Sequence, residues 1–352
     1  MSPLLSVVRA IFQSREMVIF GVLILEILAF AAIDARHPGE AHFVSVDALL
    51  GAAQGVSLIG IAAVGTSLVI ISGGIDLSPG AVYGLCGVVF MLAMVHHVPP
   101  LAAALLAGGA GLIFGLVNGS AVAFCRIPPF IATLGTLGIA RGLAYLLTNG
   151  EELPSADLPL PDSGSRLLDV LDTHFFKQAG QIGITLGFVT MVALAALFTV
   201  WLQWTRAGRY VMAVGGSEEV ARFAGVRVGA TKLMVYVIAS GLAAVTGLFY
   251  VSRYDGINSG VGPGDELNII AAAVVGGVSL AGGKGSPAGA VIGAVIIKVL
   301  NDGLVFNEVP QAGAQIAVGI FIICAVLIDR LLQTVRGRAA ARAPRRQQNG
   351  SQ

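Results

Sequence analysis

Charged residues are scarce in this sequence. Only 12% of its 352 residues are Asp, Glu, Lys or Arg, whereas 56% are hydrophobic. Soluble domains are also about half apolar, but about a quarter of their residues are charged. The shortage of charge therefore indicates a membrane protein more strongly than the apolar excess does. The formal net charge is only +1, which gives no electrostatic signal for nucleic-acid binding.

Cysteines and catalytic motifs are scarce too. The three cysteines, Cys86, Cys125 and Cys324, lie in or beside apolar runs without metal-ligand spacing, so we interpret them as small packing residues. No HExxH motif and no nucleophile elbow occurs. The run AGGKGS resembles a phosphate-binding loop, but Gly285 follows Lys284 where that loop requires Ser or Thr. The sequence therefore predicts no enzyme, no metal site and no cofactor.

Long apolar runs make up most of the chain, and about 20 apolar residues suffice to cross a bilayer as a helix. Polar breaks and prolines delimit ten runs, which cover about residues 17–33, 48–71, 79–95, 101–124, 130–147, 182–202, 233–251, 267–280, 288–300 and 312–328. The eighth and ninth runs are short. We therefore predict an all-α polytopic membrane protein with about ten transmembrane helices, some of them short or broken.

The distribution of lysine and arginine predicts the orientation. An even number of spans puts both termini on the side that carries most of the basic loop residues, which the positive-inside rule assigns to the cytoplasm. We divide the chain into an N-terminal cytoplasmic segment (1–16), a transmembrane domain (17–329) with a polar loop at about 204–232, and a basic tail (330–352) predicted to be disordered. Contact with membrane lipid would explain the charge of the tail, and topogenic charge alone would also explain it.

The stretch VIISGGIDLSPGAVY, residues 69–83, interrupts two apolar runs with an acid. Gly73 and Gly74 weaken helical continuity, and the following proline suits the first turn of a new helix. Asp76 and Ser78 are predicted caps of that turn. Irregular backbone inside a membrane is tolerated only where it is buried in protein or lines a cavity, and an ionisable residue there is a functional candidate. Asp76 therefore lines a route, caps a helix, or does both.

A second glycine-rich break lies near the other end of the chain, at residues 273–290. Its GGVSL repeats the pattern of GGIDL, and SPAGAVIGAVII repeats that of SPGAVYGLCGVV. Gly276, Gly277 and Ser279 occupy the positions that correspond to the first break. An internal duplication, which transporters often contain, explains the echo, and so do two independent helix breaks.

The polar loop TRAGRYVMAVGGSEEVARFAGVRVGATK contains a predicted short helix. Ser217, followed by two glutamates, is a typical helix start, and Gly225 is a typical stop. Val220, Phe223 and Ala224 fall on one face of this helix. Such a helix, parallel to the membrane, would face a cytoplasmic partner; an ordinary solvated loop helix is the other interpretation.

Three motifs together resemble the ribose/xylose-type sugar permease family of ABC importers. They are GTSLVIISGGIDLSPGAV at residues 65–82, AGRYVMAVGGSEEVARFAGVRV at residues 207–228 and ELNIIAAAVVGGVSLAGGKGSPAGAVIGAVII at residues 266–297. Their order and spacing also resemble the family, from about Val46 to Ile328. The combined pattern is specific for the family and unspecific for the sugar.

The resemblance implies an import subunit for a monosaccharide or related polyol in the inner (plasma) membrane. Its implied partners are an ATP-binding subunit that hydrolyses ATP, a periplasmic sugar-binding protein and a second permease, identical or different. The loop helix would be the coupling helix, with Val220 where an alanine is commoner. The residues expected to dock on the ATP-binding subunit are Glu218, Glu219, Arg222, Phe223 and Gly225.

The translocation route is a hypothesis that rests on the two broken segments, because carboxylates and irregular backbone suit sugar hydroxyls. The candidate residues are Gly73, Gly74, Asp76 and Ser78, with Gly276, Gly277 and Ser279 as weaker candidates. Three further charges inside the spans, Glu26, Arg141 and Lys298, are not assigned to substrate. A related permease for branched-chain amino acids or nucleosides is the nearest alternative. An ion-coupled secondary transporter would need more acids in its spans.

Overall fold

A computed structural model describes residues 15–34, 45–175, 184–310, 312–321, 323, 324 and 327. Its elements in chain order are α1 (Arg15–Asp34), α2 (Val46–Ile71), α3 (Pro79–Val95), α4 (Pro100–Ala123), α5 (Pro129–Thr148), α6 (Asp162–Leu171), β1 (His174–Phe175), β2 (Ile184–Thr185), α7 (Leu186–Trp204), α8 (Arg206–Gly216), α9 (Glu218–Phe223), α10 (Val228–Tyr254), α11 (Asp265–Val275), α12 (Pro287–Phe306) and α13 (Ala312–Phe321). Almost all of the predicted N-terminal segment, and the whole basic tail, lie outside the described residues.

The structure is helical apart from one pair of two-residue antiparallel strands, β1 and β2, in the described part of the chain. Six helices are long and apolar enough to cross a membrane, namely α2, α4, α5, α7, α10 and α12. Three shorter apolar stretches lie in α1, α3 and α13. The prediction of an all-α polytopic membrane protein is therefore confirmed, with several of the helices short.

The eighth predicted span is a half-length helix. α11 has 11 residues, which correspond to about 16 Å, whereas the apolar core of a bilayer is about 30 Å thick. The helix begins after Gly264, whose φ is 91°, and ends before Gly277, whose φ is 87°. Only glycine adopts such dihedrals without strain, so these two residues set both limits of the helix.

The helices differ strongly in how far the protein buries them. The apolar window of α2 is 83% buried, whereas those of α4, α5 and α7 are only 28%, 22% and 22% buried. α2 contacts α10, α12, α11 and α7. α2 is therefore the central helix, and the other three present apolar faces outward, where lipid or another membrane subunit replaces water.

An extended segment returns into the bundle between α10 and α11. A Cβ added at Gly80 would lie 2.8 Å from the carbonyl oxygen of Gly262, and one at Gly84 would lie 2.9 Å from that of Val261. The two glycines of α3 therefore let this segment pack directly against the helix backbone. Irregular backbone of this kind is stable at membrane depth because protein surrounds it.

The two ends of the bundle carry different elements. At one end, the start of α10 packs its Gly229 against Phe124, just beyond the end of α4, and α8 and α9 lie nearby. At the other end, α6 is tied to the last turn of α10, because Ser252 Oγ donates a hydrogen bond to the carbonyl oxygen of Leu168 (3.0 Å). The first end is the one predicted to be cytoplasmic.

Candidate functional site

The first predicted break ends α2 as the glycine pattern requires. The amide of Gly74 donates to the carbonyl oxygen of Val69, and that of Gly73 donates to the carbonyl oxygen of Ile70, both at 2.9 Å. Gly73 has a φ of 85°. These paired bonds around a left-handed glycine form a Schellman motif, which satisfies the last carbonyls of a helix. The predicted role of the two glycines in ending the helix is confirmed.

The second break ends α11 by the same motif. Val278 N donates to the carbonyl oxygen of Ala273 (3.0 Å), and Gly277 N donates to that of Val274 (2.9 Å). The left-handed residue is the second glycine of the pair here, whereas it is the first glycine in the other break. The two breaks are therefore similar in sequence, but residues that correspond in the sequence alignment of the two breaks do not have the same conformation.

Asp76 anchors the start of α3 through one carboxylate oxygen. Its Oδ1 accepts hydrogen bonds from the amide (2.8 Å) and the hydroxyl (2.6 Å) of Ser78. Asn118 of α4 donates to the same hydroxyl (3.0 Å) and accepts a hydrogen bond from Thr136 of α5 (2.7 Å). The cluster links α3, α4 and α5 through buried polar groups.

The prediction that Ser78 caps α3 with its side chain is wrong. Ser78 makes no side-chain cap bond, and its φ and ψ are −84° and −16°. A capping serine needs an extended backbone to reach the amides of the first turn. Ser286 has that backbone at the start of α12, and its hydroxyl accepts from the amide of Gly289 at 3.0 Å.

Asp76 is held inside the protein. Asp76 is only 1% exposed. The second oxygen of its carboxylate, Oδ2, has no hydrogen-bond partner among the described residues. The same is true of the hydroxyl of Tyr236, which lies 2.7 Å from where a Cβ of Gly74 would be. The carboxylate of Asp76 is therefore shielded from solvent in this conformation, and its role in a route stays a prediction.

The two breaks meet at a backbone contact that the sequence did not reveal. Gly283 N donates to the carbonyl oxygen of Ile71, the last residue of α2, at 2.8 Å. A Cβ on Gly215 would overlap that same oxygen and would lie 2.6 Å from Gly283 N, while one on Gly283 would lie 2.9 Å from Cα of Gly216. We call Ile71, Gly215, Gly216, Gly282 and Gly283 the glycine junction.

The glycine junction lies directly before the predicted loop helix. α8 ends at Gly216, and α9 begins two residues later. Side chains would hold the three segments apart, so glycine is what allows this backbone contact. The GG pair before Ser217 is the one sequence feature that could have predicted this contact. Glycine pairs are frequent in this chain, however, and the local sequence does not indicate which of them contact each other.

α9 forms as predicted. Ser217 Oγ accepts a hydrogen bond from Val220 N (3.3 Å) at its start, and Gly225, with a φ of 82°, follows its end. The amides of Gly225 and Val226 close another Schellman motif on Arg222 and Ala221. The helix boundaries therefore come from local hydrogen bonds that the sequence made predictable.

The side chains of α9 point in different directions. Phe223 is 85% exposed and Val220 is 66% exposed, whereas Ala221 is buried beneath the helix. Glu218 pairs with Lys232 at the start of α10, which fixes one end of α9 to the transmembrane bundle. An exposed Phe is stabilised by about 1.5–3 kcal/mol when a partner covers it. Nothing in the described structure covers Phe223.

A cavity of about 480 Å³ lies toward the other end of the bundle, between α2, α3 and α10 to α13. None of the seven predicted route residues lines it. Lys298 lines it and pairs with Asp302 (2.7 Å), while Arg141 pairs with Glu266 (3.0 Å) in the first turn of α11. Each of these two cations therefore forms an ion pair with an acid of the protein.

Within the described ranges, no three His, Cys, Asp or Glu side chains are grouped to hold a metal ion.

Comparison with known proteins identifies relatives along almost the whole chain. A probable ABC transporter permease protein of Sinorhizobium fredii is 35% identical over 92% of this chain and 91% of its own length. The ribose import permease protein of Escherichia coli K12 is 34% identical over 88% and 93%, and the fructose import permease protein of Rhizobium meliloti is 32% identical over 89% and 85%. No solved structure matches this chain. Residues 48–326 match the family described as branched-chain amino acid transport system / permease component, and the chain belongs to that family.

Proposed function

We propose that this chain is the membrane-spanning permease subunit of an ATP-binding cassette importer for a monosaccharide or a related polyol. The observation that carries this proposal is the similarity, over most of the chain, to relatives named as ribose and fructose import permeases. The family description names branched-chain amino acids, so a permease for those is the second candidate.

The transport role requires partners. An ATP-binding subunit hydrolyses ATP, a periplasmic sugar-binding protein delivers substrate, and a second permease, identical or different, completes the membrane part. The apolar outward faces of α4, α5 and α7 are suited to membrane lipid and to that second permease. The bias of basic residues supports an inner-membrane location with both termini in the cytoplasm.

α9 is the element that docks on the ATP-binding subunit. Its exposed apolar side chains and its position at the predicted cytoplasmic end support this role. The docking residues in this proposal are Glu218, Glu219, Arg222, Phe223 and Gly225. A short helix with a capped start and a glycine stop moves as a rigid body, which a flexible loop does not.

The glycine junction carries that movement to the broken segments. Because Gly215 and Gly216 contact the backbone at the end of α2 and the loop after α11, a displacement of α9 reaches both breaks with no side chain in between. Packed elements of this kind switch between discrete arrangements rather than deforming continuously. The backbone contact at the glycine junction supports this coupling, because it connects α9 to both breaks without interruption. In the proposal, ATP binding shifts the equilibrium between two arrangements of this contact.

The two breaks form the closed part of the route in this proposal. Their candidate residues are Gly73, Gly74, Asp76, Ser78, Gly276, Gly277 and Ser279. The free oxygen of Asp76 is an acceptor for sugar hydroxyls once the segment opens, because an ionised carboxylate accepts strong hydrogen bonds. The burial of Asp76 among its neighbours supports this assignment of a closed passage.

The proposal is tested by reconstituting the permease with its ATP-binding subunit and sugar-binding protein in vesicles. We expect ATP-dependent uptake of ribose or fructose and none of leucine. Phe223→Ser removes the exposed anchor of α9 and should abolish uptake and copurification of the ATP-binding subunit. Ala224→Ser, a small change at the neighbouring exposed position, is the matched control. Accumulation of sugar by vesicles that contain the permease alone would refute an ABC importer subunit.

A further inference from the structure

The cavity of about 480 Å³ has the size of a small-molecule site, since such sites measure about 300–1,000 Å³. The last turn of α10 lines it, whereas the start of α10 lies near α9. The cavity is therefore on the side of the bundle opposite the docking helix. That is the side on which a periplasmic binding protein would release its substrate.

A discontinuous helix forms one wall of the cavity. α11 starts inside the bundle after the extended segment, and Gly264, Asp265 and Asn268 at its start all line the cavity. Asp265 and Asn268 are three residues apart, so they lie on one face of the helix. Half-helices that begin within the membrane are the usual location of transporter substrate sites.

Two cations line the cavity among the described residues, and only one of them is paired with an acid. Lys298 Nζ donates to Asp302 Oδ1 (2.7 Å), which neutralises its charge, whereas Arg253 Nη1 donates to the uncharged amide oxygen of Gln54 (2.8 Å). The Nε of Arg253 has no hydrogen-bond partner among the described residues. The guanidinium of Arg253 is therefore available as a donor to the hydroxyls of a ligand.

Among the described residues, the one acid that lines the cavity is Asp265, and it is engaged. The hydroxyl of Tyr83 donates a hydrogen bond to Asp265 Oδ2. A ligand ammonium group would have to compete with this bond. The engaged carboxylate therefore makes the cavity better suited to an uncharged polar molecule than to a ligand with an ammonium group.

The remaining lining includes aliphatic side chains, such as Leu58, Ile59 and Leu267, together with aromatic faces and amides. Tyr83, Tyr250 and Tyr254 form a continuous row, with ring centroids 5.9 Å and 4.6 Å apart. Asn301 lies across the cavity on α12 and makes no side-chain hydrogen bond to the described residues. Tyrosines offer an apolar face and a hydroxyl, and an amide both donates and accepts. A sugar matches this pattern, with its C–H faces and its hydroxyls.

We propose that this cavity is a monosaccharide-binding site of the permease, in which Asn268 and Asn301 hydrogen-bond the sugar hydroxyls and the tyrosine row contacts its C–H face. The inference rests on the proposed function and adds where the sugar binds. It also disfavours branched-chain amino acids in the cavity, because their ammonium group would have to compete with Tyr83 for Asp265.

The test measures uptake of ribose and of fructose by the reconstituted importer, with ATP hydrolysis measured in the same vesicles. Asn301→Leu keeps the volume and removes the hydrogen-bonding amide. We expect the uptake of at least one sugar to fall about fivefold, the effect of one lost hydrogen bond. The ratio of the two uptake rates should change, while ATP hydrolysis stimulated by the loaded binding protein persists. Val305→Leu, one turn further along α12 and outside the cavity, is the matched control.

Because the binding protein is the same in every vesicle, a changed uptake ratio arises in the membrane part. Unchanged rates and ratio in both Asn301→Leu and Asn268→Leu would overturn the cavity assignment and leave the proposed function intact. Uptake of leucine and of neither sugar by the unmodified complex would overturn the proposed function and, with it, the sugar assignment.

A second measurement covers the case in which these variants fail to assemble. Asn301→Cys is labelled with a thiol reagent in the purified complex, after the exposed Cys125 and Cys324 have been replaced by serine. Ribose or fructose at high concentration should slow the labelling, and leucine should not. An identical labelling rate with and without both sugars would overturn the inference.

Discussion

The glycine junction makes a sharp prediction about two adjacent glycines. In Gly215→Ala, the new methyl group would overlap the carbonyl oxygen of Ile71 and lie 2.6 Å from Gly283 N. Real Cβ atoms essentially never approach closer than 3.0 Å, and backbone atoms cannot rotate away. In Gly216→Ala, the methyl group meets nothing within 4 Å. Both variants add the same methyl group to neighbouring positions of α8, so a difference between them reports the contacts of that methyl group.

The size of the effect follows from two contributions. Overpacking a close contact costs about 1–3 kcal/mol. Separating α2 from the loop after α11 also breaks the 2.8 Å hydrogen bond from Gly283 N to Ile71 O, which adds about 1–3 kcal/mol if both groups stay buried. Alanine recovers at most about 1 kcal/mol through its helix propensity. We expect Gly215→Ala to be destabilised by about 1–5 kcal/mol and Gly216→Ala to be unaffected or slightly stabilised.

The assay is thermal unfolding of the purified permease, followed by ATP-dependent uptake. Cys86 is fully buried, so after the exposed Cys125 and Cys324 have been replaced by serine its reaction with a thiol reagent reports unfolding. We expect a midpoint at least about 2 °C lower for Gly215→Ala and strongly reduced uptake. Equal midpoints and equal uptake for the two variants would show that the backbone contact does not exist or does not matter for transport.

Three further predictions test the candidate site. Asp76→Asn keeps the acceptor for the Ser78 amide and removes the charge, so stability should hold while uptake falls about tenfold, the equivalent of about 1.4 kcal/mol; unchanged uptake would leave the carboxylate an anchoring role only. Arg141→Gln should cost about 1–2 kcal/mol in unfolding free energy because the half-buried Glu266 loses its ion pair, and adding Glu266→Gln should restore part of it; an additive double mutant contradicts this pairing. Glu219→Lys should abolish ATP-coupled uptake with normal membrane insertion, and normal uptake at normal expression argues against docking through α9.

Local structure was predictable where short-range hydrogen bonds decide it. The left-handed dihedral at Gly73 and the start of α9 at Ser217 both follow from residues within one helical turn. Asp76 was singled out because an acid is expensive between two apolar runs. In each case the competing conformations are local, so the sequence pattern was enough.

Ser78 shows where this reasoning fails. Its sequence position suits a helix cap, yet its hydroxyl binds Asp76 and accepts from Asn118, which is 40 residues away. Tertiary hydrogen bonds replaced the local cap because the Ser78 hydroxyl donates to the buried carboxylate of Asp76, and the helical backbone of Ser78 keeps that hydroxyl from the amides of the first turn. No signal within the SGGIDLSPG stretch indicates that Asn118 lies nearby.

The sequence alone determined the membrane class, the approximate position of each apolar helix and the short loop helix α9, because composition, prolines and glycines act through local backbone preferences and through the cost of charge in lipid; it did not predict α6 or α8. Only the tertiary structure decided that Gly215 meets the end of α2, and that Tyr83, Asp265 and Asn301 surround one cavity. These contacts join residues separated by dozens to more than a hundred positions, and their free energy comes from packing between helices that leaves no periodic pattern in the chain.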